Sequence, residues 1–224
     1  MARSPVGAPI AEEPTSFDAR DAVELLDWKR QIFALYEAIR ESHDPRVAWD
    51  LWRATRDRLF REHSQSPIPA AHRAGFRGCG VFDYDPAARV LGRVEPGPPA
   101  RVDVAASTGS AFPFMAVGKV RFEIGGIEHS LTLLWNEGYG GGLYLPFQDG
   151  TSRDETYASG RYLLDTVKGA DLGSVGDLLV LDFNFAYNPS CSYDPSWACP
   201  LTPPENRLPI AVRAGERRPP APTA

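Results

Sequence analysis

The chain has 224 residues, 43% hydrophobic and 24% charged, which suits one globular domain with a modest appendage better than two full domains. Its formal net charge of −5 and pI near 5.4 give no basic footprint for DNA, RNA or an anionic membrane surface, so nucleic acid is not an expected partner. No apolar run reaches the length that spans a bilayer, so no membrane partner is expected either.

Residues 1–16 contain one arginine, the adjacent Glu12 and Glu13, and no apolar run of signal-peptide length. They read as a disordered lead and not as an export signal, which makes the expected location cytoplasmic. Residues 217–224 read as a matching disordered tail. Between about 17 and 63 the apolar period is helical. Leu25, Trp28, Ile32, Leu35 and Ile39 recur at spacings of three and four, and Asp44-Pro45 then starts a second helix as cap and first residue. In that second helix Ala48, Trp52, Thr55 and Leu59 share a face, flanked by Trp49 and Phe60. The expectation is an antiparallel helical pair whose aromatic stripe packs on the rest of the domain.

From Phe76 the period becomes two. "FRGCGVFDYDPAARVLGRV" predicts two short strands joined at Asp85-Pro86, and "RVDVAAS" a third. In "GKVRFEIGGIEHSLTLLW" the Gly125-Gly126 pair supplies the positive φ angles of a two-residue hairpin turn. That turn sets Ile124 opposite Ile127, Phe122 opposite His129 and Val120 opposite Leu131, all on one face, with His129 expected as a hydrogen-bonded core residue. "LYLPFQD" and "RYLLDTV" read as short strands, "GDLLVLDFNFAYN" as a long one and "LPIAVRAGE" as a closing edge strand. The expected fold class is therefore α+β, mainly β: an N-terminal helical pair packed on a single antiparallel β-sandwich or barrel-like domain over residues 76–216.

Parity along the long strand places Asp182 and Asn184 on a face begun by Leu178 and Val180, where an unpaired carboxylate is costly. Arg161, opening an upstream strand, is the expected partner. Kept open to a cavity, such a pair binds a carboxylate or polar head group; closed, it is structural. "DETYASGRYLLD", "LDFNFAYNPSCSYDPSWACPLTPPENRLP" and "VRAGE" closely resemble the signature of a bacterial family, domain of unknown function 1684. Trp52, Arg53, Arg56 and "SQSPIP" agree with that resemblance. It implies no activity, but it implies a shared polar cluster that includes Glu155, Thr156, Tyr157, Gly160, Arg161, Asp182, Asn184, Tyr187, Asn188, Pro189, Cys191, Cys199, Glu205 and Asn206.

Cys191 and Cys199 have neither the spacing nor the nearby histidines of a zinc or redox pair, so no metal is expected and no cofactor is implied. They read as structural cysteines, with a disulfide left open. Glu155, Asp182 and Glu205 are the carboxylates available for acid–base work. The proline-rich stretch over residues 181–209 reads as a rigid lid or plug over one end of the β structure. The leading expectation is a binding domain for a small polar or carboxylate-bearing molecule held by Glu155, Tyr157, Arg161, Asp182, Asn184, Tyr187, Asn188, Glu205 and Asn206. Its alternatives are a hydrolase or lyase using a carboxylate acid or base, and a purely structural polar network with no ligand.

Overall fold

The computed structural model describes residues 18–138 and 140–219, so the lead expected over 1–16 and most of the tail expected over 217–224 lie outside the described residues. Helix α1 spans Ala19–Glu41. Asp18 accepts from the amides of Arg20 and Asp21, and the Asp21 carboxylate accepts the Asp18 amide in return, a reciprocal cap that satisfies otherwise free donors. Helix α2, Pro45–Glu62, begins as its sequence predicts, with Asp44 as cap and Pro45 at the first position. Gln31 meets Arg58 and Asp27 meets His63, so the two helices run antiparallel. Their buried stripe consists of Ile32, Leu35, Tyr36 and Ile39 from α1 with Trp49, Trp52, Leu59 and Phe60 from α2. Each such burial stabilises by about 1.5–3 kcal/mol. Arg56 is buried in the same stripe, one turn from both Trp52 and Phe60. A one-turn helix α3, Ala70–Arg73, follows.

Among the described residues the strands are β1 Arg89–Ala105, β2 Ala111–Ile124, β3 Ile127–Asn136, β4 Gly142–Phe147, β5 Arg161–Asp165, β6 Ser174–Val175 and β7 Leu178–Asp182. They form one antiparallel sheet in the order β5-β4-β3-β2-β1-β7-β6, which is not closed into a barrel. The fold is thus α+β and mainly β, with the helical pair at its N-terminus. The β2–β3 hairpin has the predicted register: Ile124 faces Ile127, Phe122 faces His129 and Val120 faces Leu131. Gly125 and Gly126 hold φ values of 62° and 77°, as that tight turn requires. His129 is buried against Phe122 but its Nε2 has no hydrogen-bond partner among the described residues, unlike the expectation, because the side chain facing it across the hairpin is apolar.

An irregularity in β2 between Ala116 and Gly118 leaves Val117 without an opposite on β3 and exchanges the two faces of the strand. Phe114, before it, joins the core under the helices with Val104, Leu134, Tyr144 and Tyr162; Val120 and Phe122, after it, join a second core with Leu131, Leu133, Leu145 and Leu181. One sheet thereby serves two apolar layers. The strands predicted at "ARVLGRV" and "RVDVAAS" are one strand, β1, which crosses Pro96, Pro98 and Pro99 with a register shift between Pro96 and Ala100. Its β2 side stays paired on either side of the shift. Its other side meets β7 only over Arg89–Arg93, so prolines are tolerated beyond that point.

Two further expectations are corrected. The long strand ends at Asp182, whose carboxylate accepts the Asn184 amide and caps a 3₁₀ turn over Phe183–Phe185, so parity cannot be carried past that residue. "LPIAVRAGE" is an extended strap outside any ladder strand. It is bonded through Leu208 to Gln148, Gly150 to Ile210, Phe82 to Gly215 and Glu216 to Ala186. Gly215 has φ 78°, and a Cβ there would stand 2.6 Å from the carbonyl oxygens of Ala186 and Phe183; no other residue fits.

Candidate functional site

Arg161 and Asp182 do not pair. Arg161, at the start of β5, reaches Asp149: its Nη2 donates to Asp149 Oδ2 at 2.7 Å and to the Val212 carbonyl at 3.0 Å. Its Nη1 donates to the carbonyls of Ala214 and Glu216. An extended segment shows alternate carbonyls to one side, and the strap offers those of residues 212, 214 and 216 to a single guanidinium. The other Asp149 oxygen accepts the Thr151 amide and hydroxyl. Burial lowers the Arg161 guanidinium below its ordinary range, and Asp149 offsets only part of that. Both terminal nitrogens of Arg161 and both Asp149 oxygens are thus engaged by protein groups.

Asp182 stands opposite Arg89 in the β1–β7 register and accepts from Arg89 Nη1 at 3.3 Å. Burial raises its carboxyl above the ordinary range, against the hydrogen bonds from Asn184 that favour the anion. Asn184 exchanges bonds with the Asp85 backbone, Oδ1 accepting at 2.9 Å and Nδ2 donating at 2.7 Å, while its carbonyl accepts the Trp49 indole N–H at 3.1 Å. This node ties α2 to β7 and the 82–88 segment. Asn206 does comparable work elsewhere. The β3–β4 ladder runs only from Leu134/Tyr144 to Asn136/Gly142; beyond it the Asn206 amide fills the gap, accepting from the Thr132 amide and donating to the Thr132 and Pro146 carbonyls.

The remaining predicted residues are dispersed. Glu155 holds Arg213 with both oxygens at 3.0 Å on the outer side of the strap, and that contact lowers its carboxyl below the usual range. Glu205 is exposed beside Glu95, Lys119 and Thr132 on a different face. Tyr157 sits with its hydroxyl 3.7 Å from Cys191 Sγ. Thr156 is buried against Thr151. The carboxylates needed for acid–base chemistry therefore do not converge. Among the described residues no group of three or more His, Cys, Asp and Glu side chains could hold a metal ion, and no helix is long and apolar enough to cross a membrane.

Of the predicted set, Tyr187 and Asn188 line the cavity between the helices and the sheet. It is an 80 Å³ space between the helical pair and the sheet, walled by Trp28, Tyr36, Trp52, Arg56, Lys168, Tyr187, Asn188, Pro189 and Ser190 among others. The proline-rich segment forms one side of it through Pro189 and Ser190. Arg56 lies over the rings of Trp52, Phe60 and Tyr187 at 4.7–5.2 Å. Its Nε donates to Glu216 Oε1 at 2.7 Å. Its Nη2 is 2.6 Å from the same oxygen but at an angle that makes an ionic contact and no formed hydrogen bond. Burial opposes the Arg56 charge and Glu216 more than offsets it, holding the guanidinium ionised above its ordinary range. The other Glu216 oxygen accepts from the Asn188 amide at 2.7 Å and the Tyr193 hydroxyl at 3.1 Å. Asn188 donates Nδ2 to the Arg217 carbonyl, and its buried Oδ1 accepts nothing.

Arg56 and Glu216 were the residues that sequence reasoning did not place in a site. The signal for Arg56 was present: it falls four residues from both Trp52 and Phe60, on the apolar stripe of α2, where a charge needs a buried partner. Asp149 and Glu216 carried no comparable signal, since each meets its arginine only through the tertiary path of the chain.

Comparison with known proteins places this geometry in context. No curated protein matches. A solution NMR structure of an uncharacterized protein from Haloarcula marismortui is similar to this chain at 36% identity, covering 74% of this chain and 89% of that one with a TM-score of 0.53. The family model described as "Protein of unknown function (DUF1684)" matches residues 74–217, a span that includes the sheet, the strap and the polar segment and begins after α2. The chain belongs to the DUF1684 family.

Proposed function

We propose that the chain is a binding module for a small carboxylate-bearing or similarly polar molecule in the cavity between the helices and the sheet. The observation that carries this reading is a pair of buried polar atoms with no hydrogen-bond partner, Arg56 Nη2 and Asn188 Oδ1, both belonging to residues on the wall of that one cavity. More than about nine in ten buried polar groups find partners, so a donor and an acceptor without one on residues of the same cavity wall support an occupant there, reached by a small shift of the two side chains. An occupant with a carboxylate and a hydroxyl or amide N–H answers both, and the rings of Trp28, Tyr36 and Tyr187 accommodate a short apolar body. By volume the cavity admits only a molecule of a few heavy atoms, equivalent to roughly five waters. A cytoplasmic setting goes with this reading, in keeping with three free thiols. The purely structural reading has its own support in the saturated bonds of Arg161, Asn184 and Asn206, and it applies to those residues; it leaves Arg56 and Asn188 unexplained.

The test is a thermal-shift screen of short hydroxy acids, amino acids and simple carboxylates against the whole chain and against Ala170→Leu, which fills the cavity from a buried wall position. A true ligand at a hundredfold excess over its dissociation constant stabilises by roughly 2.7 kcal/mol. That gain should vanish in Ala170→Leu while the unliganded variant stays folded. A screen in which no such compound moves the transition, or moves both proteins equally, refutes the reading.

A further inference from the structure

Outside that cavity, Cys191 and Cys199 form a cluster with its own chemistry. The two thiols are free, and each is more than nine-tenths buried. Cys199 Sγ lies over the Cys191 backbone, accepting its amide at 3.2 Å, so the intervening loop folds one sulfur back beside the other residue. The Tyr157 hydroxyl stands 3.7 Å from Cys191 Sγ. Ser107 anchors the far end of the loop: its hydroxyl accepts the Cys199 amide at 3.0 Å and donates to the Trp197 carbonyl at 2.9 Å. The loop crown between the two cysteines, residues 195–198, is exposed.

We propose that Cys191 and Cys199 are a peroxide-responsive thiol pair, in which Cys191 is the attacking sulfur and Cys199 the resolving one. The Cys191 thiolate displaces hydroxide from hydrogen peroxide: an S–O bond forms, the O–O bond breaks, and hydroxide leaves as water on taking a proton. The Cys199 sulfur, its proton lost, then attacks the resulting sulfenic sulfur; the S–S bond forms, the S–O bond breaks and a second water departs. Two thiols and one peroxide give one disulfide and two waters.

The division of roles follows from the surroundings. Hydrogen bonding from the Cys199 thiol, with help from the Tyr157 hydroxyl, overcomes burial and brings Cys191 down to about 6. Cys199 is pushed up by its contact with Cys191 and by burial, against the Cys191 amide that its sulfur accepts. The third cysteine, Cys79, is pushed well above the ordinary thiol range by burial and by Glu216, and it serves as an internal control. The proposal stands apart from the binding reading, because neither sulfur lines the cavity.

The experiment treats the reduced whole chain with stoichiometric hydrogen peroxide near neutral pH, alkylates with iodoacetamide, and maps peptides by mass spectrometry. The expected product is a Cys191–Cys199 cross-link with Cys79 alkylated only after denaturation. In the native reduced protein Cys191 should be labelled at least about tenfold faster than Cys79. Cys199→Ser should trap Cys191 as a sulfenic acid that dimedone captures, and Cys191→Ser should leave Cys199 untouched by dimedone. Unreacted Cys191, sulfenic acid without a cross-link in the parent protein, or dimedone capture at Cys199 in Cys191→Ser would each overturn the assignment.

Discussion

Arg161 and Arg56 are both buried guanidiniums facing a buried carboxylate, yet their surroundings differ in how many hydrogen bonds they offer. Arg161 donates to Asp149 and to three carbonyls of the strap, while Asp149 in turn is filled by Thr151 and the Val212 amide. Arg56 makes one formed bond to Glu216, spreads its plane over three aromatic rings and leaves Nη2 without a hydrogen-bond acceptor beside an open cavity. Residue type and depth are nearly the same in both. What differs is the count of unused hydrogen-bonding directions, and the proposed binding role of the cavity rests on that count.

The comparison breaks first at Arg161. Arg161→Met removes the charge and keeps much of the volume, stranding Asp149 and the strap carbonyls, and should cost about 3–5 kcal/mol in urea unfolding with no ligand able to restore it. A loss below about 1 kcal/mol would show that saturation does not measure structural weight. Asn206→Ala is the neutral counterpart: it strands the Thr132 amide and the Thr132 and Pro146 carbonyls, and should cost about 2–3 kcal/mol by the same measurement.

Acid titration gives the smallest effects and the sharpest signs. The Glu155 carboxyl is held below its ordinary value of 4.5 by Arg213, so its contribution is present above that value and fades as pH falls through the folded-state value. Glu155→Gln should therefore flatten the acid-side loss of stability. Asp182 is raised above 3.8 by burial, so the folded state takes up its proton first and gains stability as pH falls towards that value. Asp182→Asn removes that gain and should steepen the acid-side loss. Stability curves between about pH 3 and 7 that shift in the same direction for both variants would contradict these assignments.

Features governed by neighbours in sequence were legible. The Asp18 side of α1 apart, the start of α2 follows from Asp44-Pro45, and the β2–β3 register follows from Gly125-Gly126, because a cap or a two-residue turn acts within a few bonds of its own residues. Legibility failed where a side chain replaced a backbone partner. "LPIAVRAGE" alternates like a strand, but its carbonyls are taken by Arg161 instead of a ladder. The strand before Asp182 stops because that carboxylate caps the next turn, which no count of alternating faces reveals. Of the expected site, Tyr187 and Asn188 lie on the cavity, while Arg161, Asp182, Asn184 and Asn206 are pegs of the scaffold. Polar residues in a rigid segment signal that bonds are needed there without saying whether the partner is protein or ligand.

The Arg56–Glu216 clamp joins positions 160 residues apart. During synthesis α2 leaves the ribosome long before the strap that carries Glu216, so the nascent chain must hold an unmatched guanidinium on an otherwise apolar helical stripe. Burying that charge before its partner arrives is costly, which disfavours docking of the helices on an unfinished sheet. Closure of the fold is thereby tied to arrival of the last segment of the β domain, at the cost of a slow, high-separation contact.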